Sequence, residues 1–137
     1  MYGIEASYEQ VKHAAIMDRK NLSNYEAIPP ERYKTGRPRR LSPKNCYVKA
    51  WQYVMWKDDL EGIRLVHGHY RPPLLDNHCG HAWVEFPEDI VFDGVLQRFY
   101  RKDDYYKYYE IIKHDEYTVD EMCRVGLECG GTYGPWR

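Results

Sequence analysis

The sequence predicts an α+β protein in which a helix bearing Cys46 packs against an antiparallel sheet of about four strands, with further helices towards both ends. Three observations predict it. Residues 81–94, His-Ala-Trp-Val-Glu-Phe-Pro-Glu-Asp-Ile-Val-Phe-Asp-Gly, alternate in period two on both sides of a Pro-Glu-Asp turn, which is the pattern of a hairpin. An apolar stripe at helical spacing, Tyr47, Ala50, Trp51, Val54 and Met55, follows Ser42-Pro43. Two capping boxes, Ser7 with Gln10 and Thr118 with Glu121, mark further helix starts.

Length and charge narrow the function classes. A chain of 137 residues suits one domain with a core of ordinary size. A net charge of -1 argues against a polyelectrolyte seeking nucleic acid. Fourteen tyrosines and four tryptophans against three phenylalanines make the aromatic content amphipathic, so many hydroxyls need partners or water. The first residues carry neither a basic leader nor an apolar core, and no run approaches the ~20 apolar residues of a membrane span, so a cytoplasmic protein without membrane partners is expected. Cysteines 46, 79, 123 and 129 form no Cys-x-x-Cys pair and read as free thiols.

In order, the first helix runs from the Ser7 cap to about Lys20, with Val11, Ala14, Ala15 and Asp18 at helical spacing. Residues 21–30 read as irregular, ending in Pro29-Pro30. Residues 32–40 form a basic loop containing Arg37-Pro38-Arg39-Arg40, either solvated surface or a patch for an acidic partner. Ser42 and Pro43 suit the cap and first position of the second helix, so Cys46 falls in its first turn. Residues 63–70 read as a strand, Arg71-Pro72-Pro73 stops it, and a loop leads to His81. Strand 63–70, strand 81–86 and strand 89–96 form a meander. The tyrosine-rich run 105–112 reads as a fourth strand, and the last helix runs from the Thr118 cap to Cys129-Gly130-Gly131, followed by an aromatic tail.

The hairpin carries the chemistry. If its turn is centred on Pro87, residues whose numbers sum to 174 face each other, and His81 lies opposite Asp93. A carboxylate there would hold the imidazole in one tautomer and stabilise its charged form. Cys46 supplies a nucleophile for the pair, since a helix N-terminus favours thiolate. The bland reading of Cys46 is a small apolar residue in a core helix.

Asn45-Cys46-Tyr47 with Ala50, then Val66-His67-Gly68-His69, His81-Ala82-Trp83-Val84-Glu85 and Val91-Phe92-Asp93 together resemble the papain-like cysteine-protease fold in its transglutaminase-like form, and within it small bacterial and phage members. The likeness covers about residues 42–96. It implies thiol-dependent acyl transfer or amide hydrolysis on a peptide or protein amide, with Cys46 as nucleophile, His81 as general base and acid, and Asp93 orienting His81. No cofactor is implied. The backbone N–H of Cys46 would serve a developing oxyanion, with Asn45 and Arg40 the nearest side chains for a second donor. Asn45, His67, His69 and Trp83 are the expected substrate contacts.

Three other readings compete. His67, His69, His78, Cys79 and His81 lie within fifteen residues and would suit a tetrahedral zinc site if the fold gathered them, though their spacing matches no fixed zinc motif. An inactive papain-like module would bind a partner through residues 32–40 and 105–109. Tyrosines among basic residues would offer single-stranded nucleic acid stacking platforms, against the near-neutral net charge.

Overall fold

The computed structural model describes residues 7–34, 40–75 and 77–136. Helix α1 (Tyr8–Asn21) starts at the expected capping box: Ser7 Oγ accepts the Gln10 N–H and the Gln10 side chain accepts the Ser7 N–H. Its buried side is Ala14, Ala15 and Asp18. Short 3-10 turns at Ser23–Tyr25 and Glu31–Tyr33 follow. Residues 35–39 of the basic loop 32–40 lie outside the described residues.

Helix α2 (Cys46–Trp56) begins later than the Ser-Pro signal suggests. Residues 42–45 form a turn instead, in which Ser42 O accepts the Asn45 N–H (3.3 Å), Asn45 Nδ2 donates to Ser42 Oγ (3.0 Å) and Lys44 is left-handed (φ 65°). Cys46 thus becomes the first helical residue, and its N–H has no acceptor within the helix.

Five antiparallel strands follow in the sheet order β4-β3-β2-β1-β5: β1 (Arg64–Tyr70), β2 (Cys79–Phe86), β3 (Ile90–Asp93), β4 (Arg98–Arg101) and β5 (Ile112–Tyr117). The meander of the first three is as the sequence suggests. Strand 89–96, by contrast, is cut short to β3. It breaks after Asp93, where a turn ending in left-handed Gln97 (φ 56°) reverses the chain into β4. The tyrosine-rich run is not a strand either. Helix α3 (Lys102–Tyr109) occupies it, with Asp103 and Asp104 at its positive end and Tyr105 and Tyr109, four apart, buried on one side. Glu110 closes α3 in the left-handed region (φ 48°), and β5 begins two residues later. Helix α4 (Val119–Glu128) carries the second capping box, with Thr118 and Glu121 in the expected roles.

Alternation along the strands sorts the core onto two sides of the sheet. Ala82, Val84, Phe86, Leu65 and Phe92 meet Ala50, Tyr53 and Val54 of α2 and Met122 of α4. Trp83, Val66 and Val91 meet Ala15 of α1 and Tyr105 and Tyr109 of α3. Cys46 is the exception within α2, because it packs with the second group while the rest of its helix packs with the first. The N-terminus of α2 therefore passes the end of the sheet and delivers the thiol to the far face. No helix among the described residues is long and apolar enough to cross a membrane.

Candidate active site

His81 begins the buried part of β2 and Asp93 ends β3, which brings both to the same end of the sheet. The pairing differs from the expected one. Residues 87–89 form a three-residue connection with Asp89 left-handed (φ 60°), and the ladder pairs Val84 with Phe92, Glu85 with Val91 and Phe86 with Ile90, a sum of 176 rather than 174. A slip of two leaves every side chain on its face but moves Asp93 from opposite His81 to a diagonal position. His81 Nε2 still donates to Asp93 Oδ2, at a long 3.3 Å. The hydroxyl of Tyr105 fills the widened gap, accepting from His81 Nε2 at 2.9 Å and donating to Asp93 Oδ2 at 2.5 Å. Asp93 Oδ1 accepts the Leu96 N–H (2.8 Å), so one carboxylate oxygen fixes the turn and the other serves the histidine.

The imidazole plane is fixed as well. Tyr70 stacks on it at 3.8 Å and 5°, Trp83 lies 5.7 Å from it at 24°, and Tyr109 flanks it at 6.2 Å and 50°. With Nε2 committed to Asp93 and Tyr105, Nδ1 is the nitrogen left for another group, and it is buried without a conventional hydrogen-bond partner. Cys46 lines the same cleft, near enough for its charge to act on the ring. Burial opposes charge on His81, yet the hydrogen bond to Asp93 and the charges of Asp93 and Cys46 raise its pKa to about 9. Asp93 moves the other way: burial would raise it, but the His81 hydrogen bond and charge, Tyr105 and the Leu96 N–H hold it below the usual carboxylate value.

Two glycines set the spacing of these parts. A Cβ on Gly94, the residue after Asp93, would lie 2.5 Å from Lys49 Cβ and 3.2 Å from Ala50 N, so α2 rests directly on the chain there. A Cβ on Gly80, the residue before His81, would lie 2.7 Å from the Tyr47 hydroxyl. The residue after Cys46 thus touches the residue before His81.

Cys46, His81 and Asp93 line one cleft of about 330 Å³, walled by α1 through Val11, Ala14 and Ala15. No family model matches the chain, and neither a curated protein nor a solved structure does.

The expected substrate contacts fall elsewhere. His67 and His69 sit on the odd positions of β1, which face α2 and α4 rather than the cleft. His67 is buried between Tyr47, Tyr117 and Trp136, and burial depresses its pKa to about 4. His69 meets His114 of β5, Nδ1 to Nε2 at 2.5 Å. Trp83 is fully buried beneath His81 and donates its indole N–H to Glu85 (2.9 Å). Asn45 is exposed, its amide turned to Ser42, and neither it nor Arg40 lines the cleft. The zinc reading fails on the same geometry: among the described residues no three His, Cys, Asp or Glu side chains gather as a metal site.

The cleft also holds residues the sequence reading passed over: Tyr70, Tyr109, Lys44 and Asp18 line it, and Tyr105 stands behind His81. Asp18 left a signal, an acid on the otherwise apolar stripe of α1. Cys79 lines the cleft too; burial and the charge of Cys46 push its thiol up.

Proposed function

We propose that the chain is a thiol enzyme that transfers or hydrolyses the acyl group of a peptide or protein amide, with Cys46, His81 and Asp93 as its catalytic set. The observation that carries this reading is the division of His81: Nε2 is held by Asp93 and Tyr105, while the Nδ1 side is left to a cleft that Cys46 lines. The order Cys, His, Asp on a helix start and two adjacent strands also agrees with what the resemblance to transglutaminase-like proteins implies.

The chemistry runs on this chain's own groups. His81 takes the thiol proton, and Asp93 stabilises the resulting imidazolium. The thiolate adds to the carbonyl carbon, and the N–H of Cys46 at the start of α2 faces the developing oxyanion. His81 returns its proton to the leaving amine, the carbon–nitrogen bond breaks and a thioester remains on Cys46. Water or a second amine, deprotonated by His81, then releases the acyl group and restores the thiol. Cys46, Cys79, Cys123 and Cys129 are all free thiols, which suits the reducing cytoplasm.

Iodoacetamide labelling, with the modified cysteine identified by mass spectrometry, tests the pair. Cys46 should label faster than Cys79, Cys123 and Cys129 in the wild type and lose that lead in His81→Ala. Hydrolysis of p-nitrophenyl acetate should vanish in Cys46→Ala. A Cys46 no more reactive than Cys123, or turnover that survives Cys46→Ala, removes the enzyme reading and leaves a binding module.

A further inference from the structure

Two of the described acids line the cleft, and the thiol chemistry uses only Asp93. The other, Asp18, is 3% exposed. It accepts one hydrogen bond at each oxygen, from Tyr108 (2.8 Å) and Tyr109 (2.9 Å) of α3. A carboxylate has about four acceptor sites, so half of its capacity is unspent. Among the described residues no lysine or arginine pairs with Asp18, which is unusual for so deeply buried an acid. The charges of Asp93 and His81 both reach it, so it lies within electrostatic range of the catalytic set.

Its surroundings define what it would take. Val11, Ala14 and Ala15 form one apolar wall, and Val95 and Leu96 contribute another. The cleft's volume of about 330 Å³ is at the small end of ligand sites, which run ~300–1,000 Å³. A small cleft with apolar walls and a buried carboxylate in it matches an alkyl chain ending in an ammonium group. The methylenes would lie along the helix wall, and the charge would meet the unspent acceptor sites of Asp18 in a charge-assisted bond.

We propose that Asp18 is a specificity-determining residue that selects a lysine-type alkylammonium group for the Cys46 cleft. The proposal deepens the acyl-transfer reading and rests on it for what the bound amine is there to do. Anions are disfavoured by the same acid, and neutral groups of equal shape gain only the apolar walls. The acid's own state agrees: burial raises the Asp18 pKa to about 6 against the opposing hydrogen bonds of Tyr108 and Tyr109, and an arriving cation would favour the ionised form. The titratable and charged groups around it are Tyr108 and Tyr109 from α3, Tyr70, Cys79, His81 and Asp93 from the sheet, and Lys44, Cys46 and Tyr47 from the start of α2 and its preceding turn.

The test is a binding titration of the full chain at pH 8, by calorimetry or amide NMR shifts, with n-butylammonium chloride, 1-butanol and sodium butyrate. Butylammonium should bind at least about tenfold more tightly than the other two, the scale of one hydrogen bond to a charged group. Asp18→Asn should abolish that preference while 1-butanol binding persists, and the wild-type preference should fade as pH drops through about 6. Equal affinity for the three probes overturns the proposal, as does an unchanged preference in Asp18→Asn. Where the variant does not fold, the wild-type pH profile decides, and a flat one is fatal. The titration requires no turnover, so its failure is separable from that of the thiol mechanism. An inert Cys46 with an intact ammonium preference supports the amine site alone; a reactive Cys46 with no such preference removes the site alone.

Discussion

At the scale of single residues, Asp93 and Tyr105 both touch His81 Nε2 but should not be equivalent. Asp93→Asn keeps the shape but offers an amide where the imidazolium needs a negative charge, and should lower turnover of p-nitrophenyl acetate by about 10³–10⁴-fold. Tyr105→Phe removes a hydroxyl whose two neighbours still reach each other at 3.3 Å. It should cost about 1 kcal/mol of stability and less than ~10-fold in rate, since Asp93 still orients the ring. If steady-state kinetics show Tyr105→Phe as damaging as Asp93→Asn, the tyrosine rather than the acid orients the histidine. Cys46, His81 and Asp93 were legible because each type stood where its chemistry needs it, at the start of a helix or the end of a strand. Tyr70, Tyr105 and Asp18 were not, because their roles depend on which elements meet in space, and nothing local records that.

Elements are positioned by contacts that admit little slack. The Gly94 backbone lies against Lys49 and Ala50, so Gly94→Ala must lift α2 from the sheet end or displace Asp93. Overpacking of this kind costs roughly 1–3 kcal/mol, and iodoacetamide should then label Cys46 no faster than the other thiols even where the protein remains folded. A reactive Cys46 in folded Gly94→Ala would mean that α2 adjusts without moving its first turn. The end of α3 predicts the opposite sign. Glu110 holds a left-handed conformation (φ 48°), and its only described ion pair, with Arg71 at 3.8 Å, is largely solvent-exposed. Glu110→Gly should stabilise by about 0.5–1 kcal/mol, seen as a melting temperature raised by a few degrees; a fall would assign the Arg71 pair more weight than exposed pairs carry. Capping boxes located α1 and α4 to the residue, because a cap is a local device. The hairpin register and the early end of strand 89–96 at Asp93 were beyond such signals, since left-handed Asp89 and Gln97 choose the turns and neither is a glycine that would announce it.

For the whole molecule, the buried charges set how stability follows pH. His81 is raised from 6.5 to about 9, so its contribution is complete below pH 6.5 and is lost as pH climbs through 9. Asp93 is depressed, so its contribution holds above the ordinary value of 3.8 and disappears in stronger acid. Asp18 is raised from 3.8 to about 6, so it favours the fold in acid and weighs against it above pH 6, by up to about 3 kcal/mol. Thermal melts across pH 4–10 should therefore show an alkaline decline that His81→Ala flattens, and a gain in stability at pH 8 for Asp18→Asn. An Asp18→Asn variant that melts lower than wild type at pH 8 would mean that the tyrosine hydrogen bonds outweigh desolvation. The fold class was legible because alternation and capping agree along the chain. Five strands were found rather than about four, as two of them are too short or too polar to stand out: β4 has four residues, and β5 reads Ile-Lys-His-Asp-Glu-Tyr.

The stack of His81 on Trp83 gives the protein an internal gauge. Of the four tryptophans Trp83 is fully buried, Trp51 and Trp136 are half-buried and Trp56 is 56% exposed, so Trp83 emits furthest to the blue. An imidazolium placed over an indole face perturbs it as a neutral ring does not. The blue-shifted part of the intrinsic fluorescence should thus brighten or dim in step with the proton on His81. The charge state of the site can then be followed in real time, on unmodified protein, before any substrate is in hand.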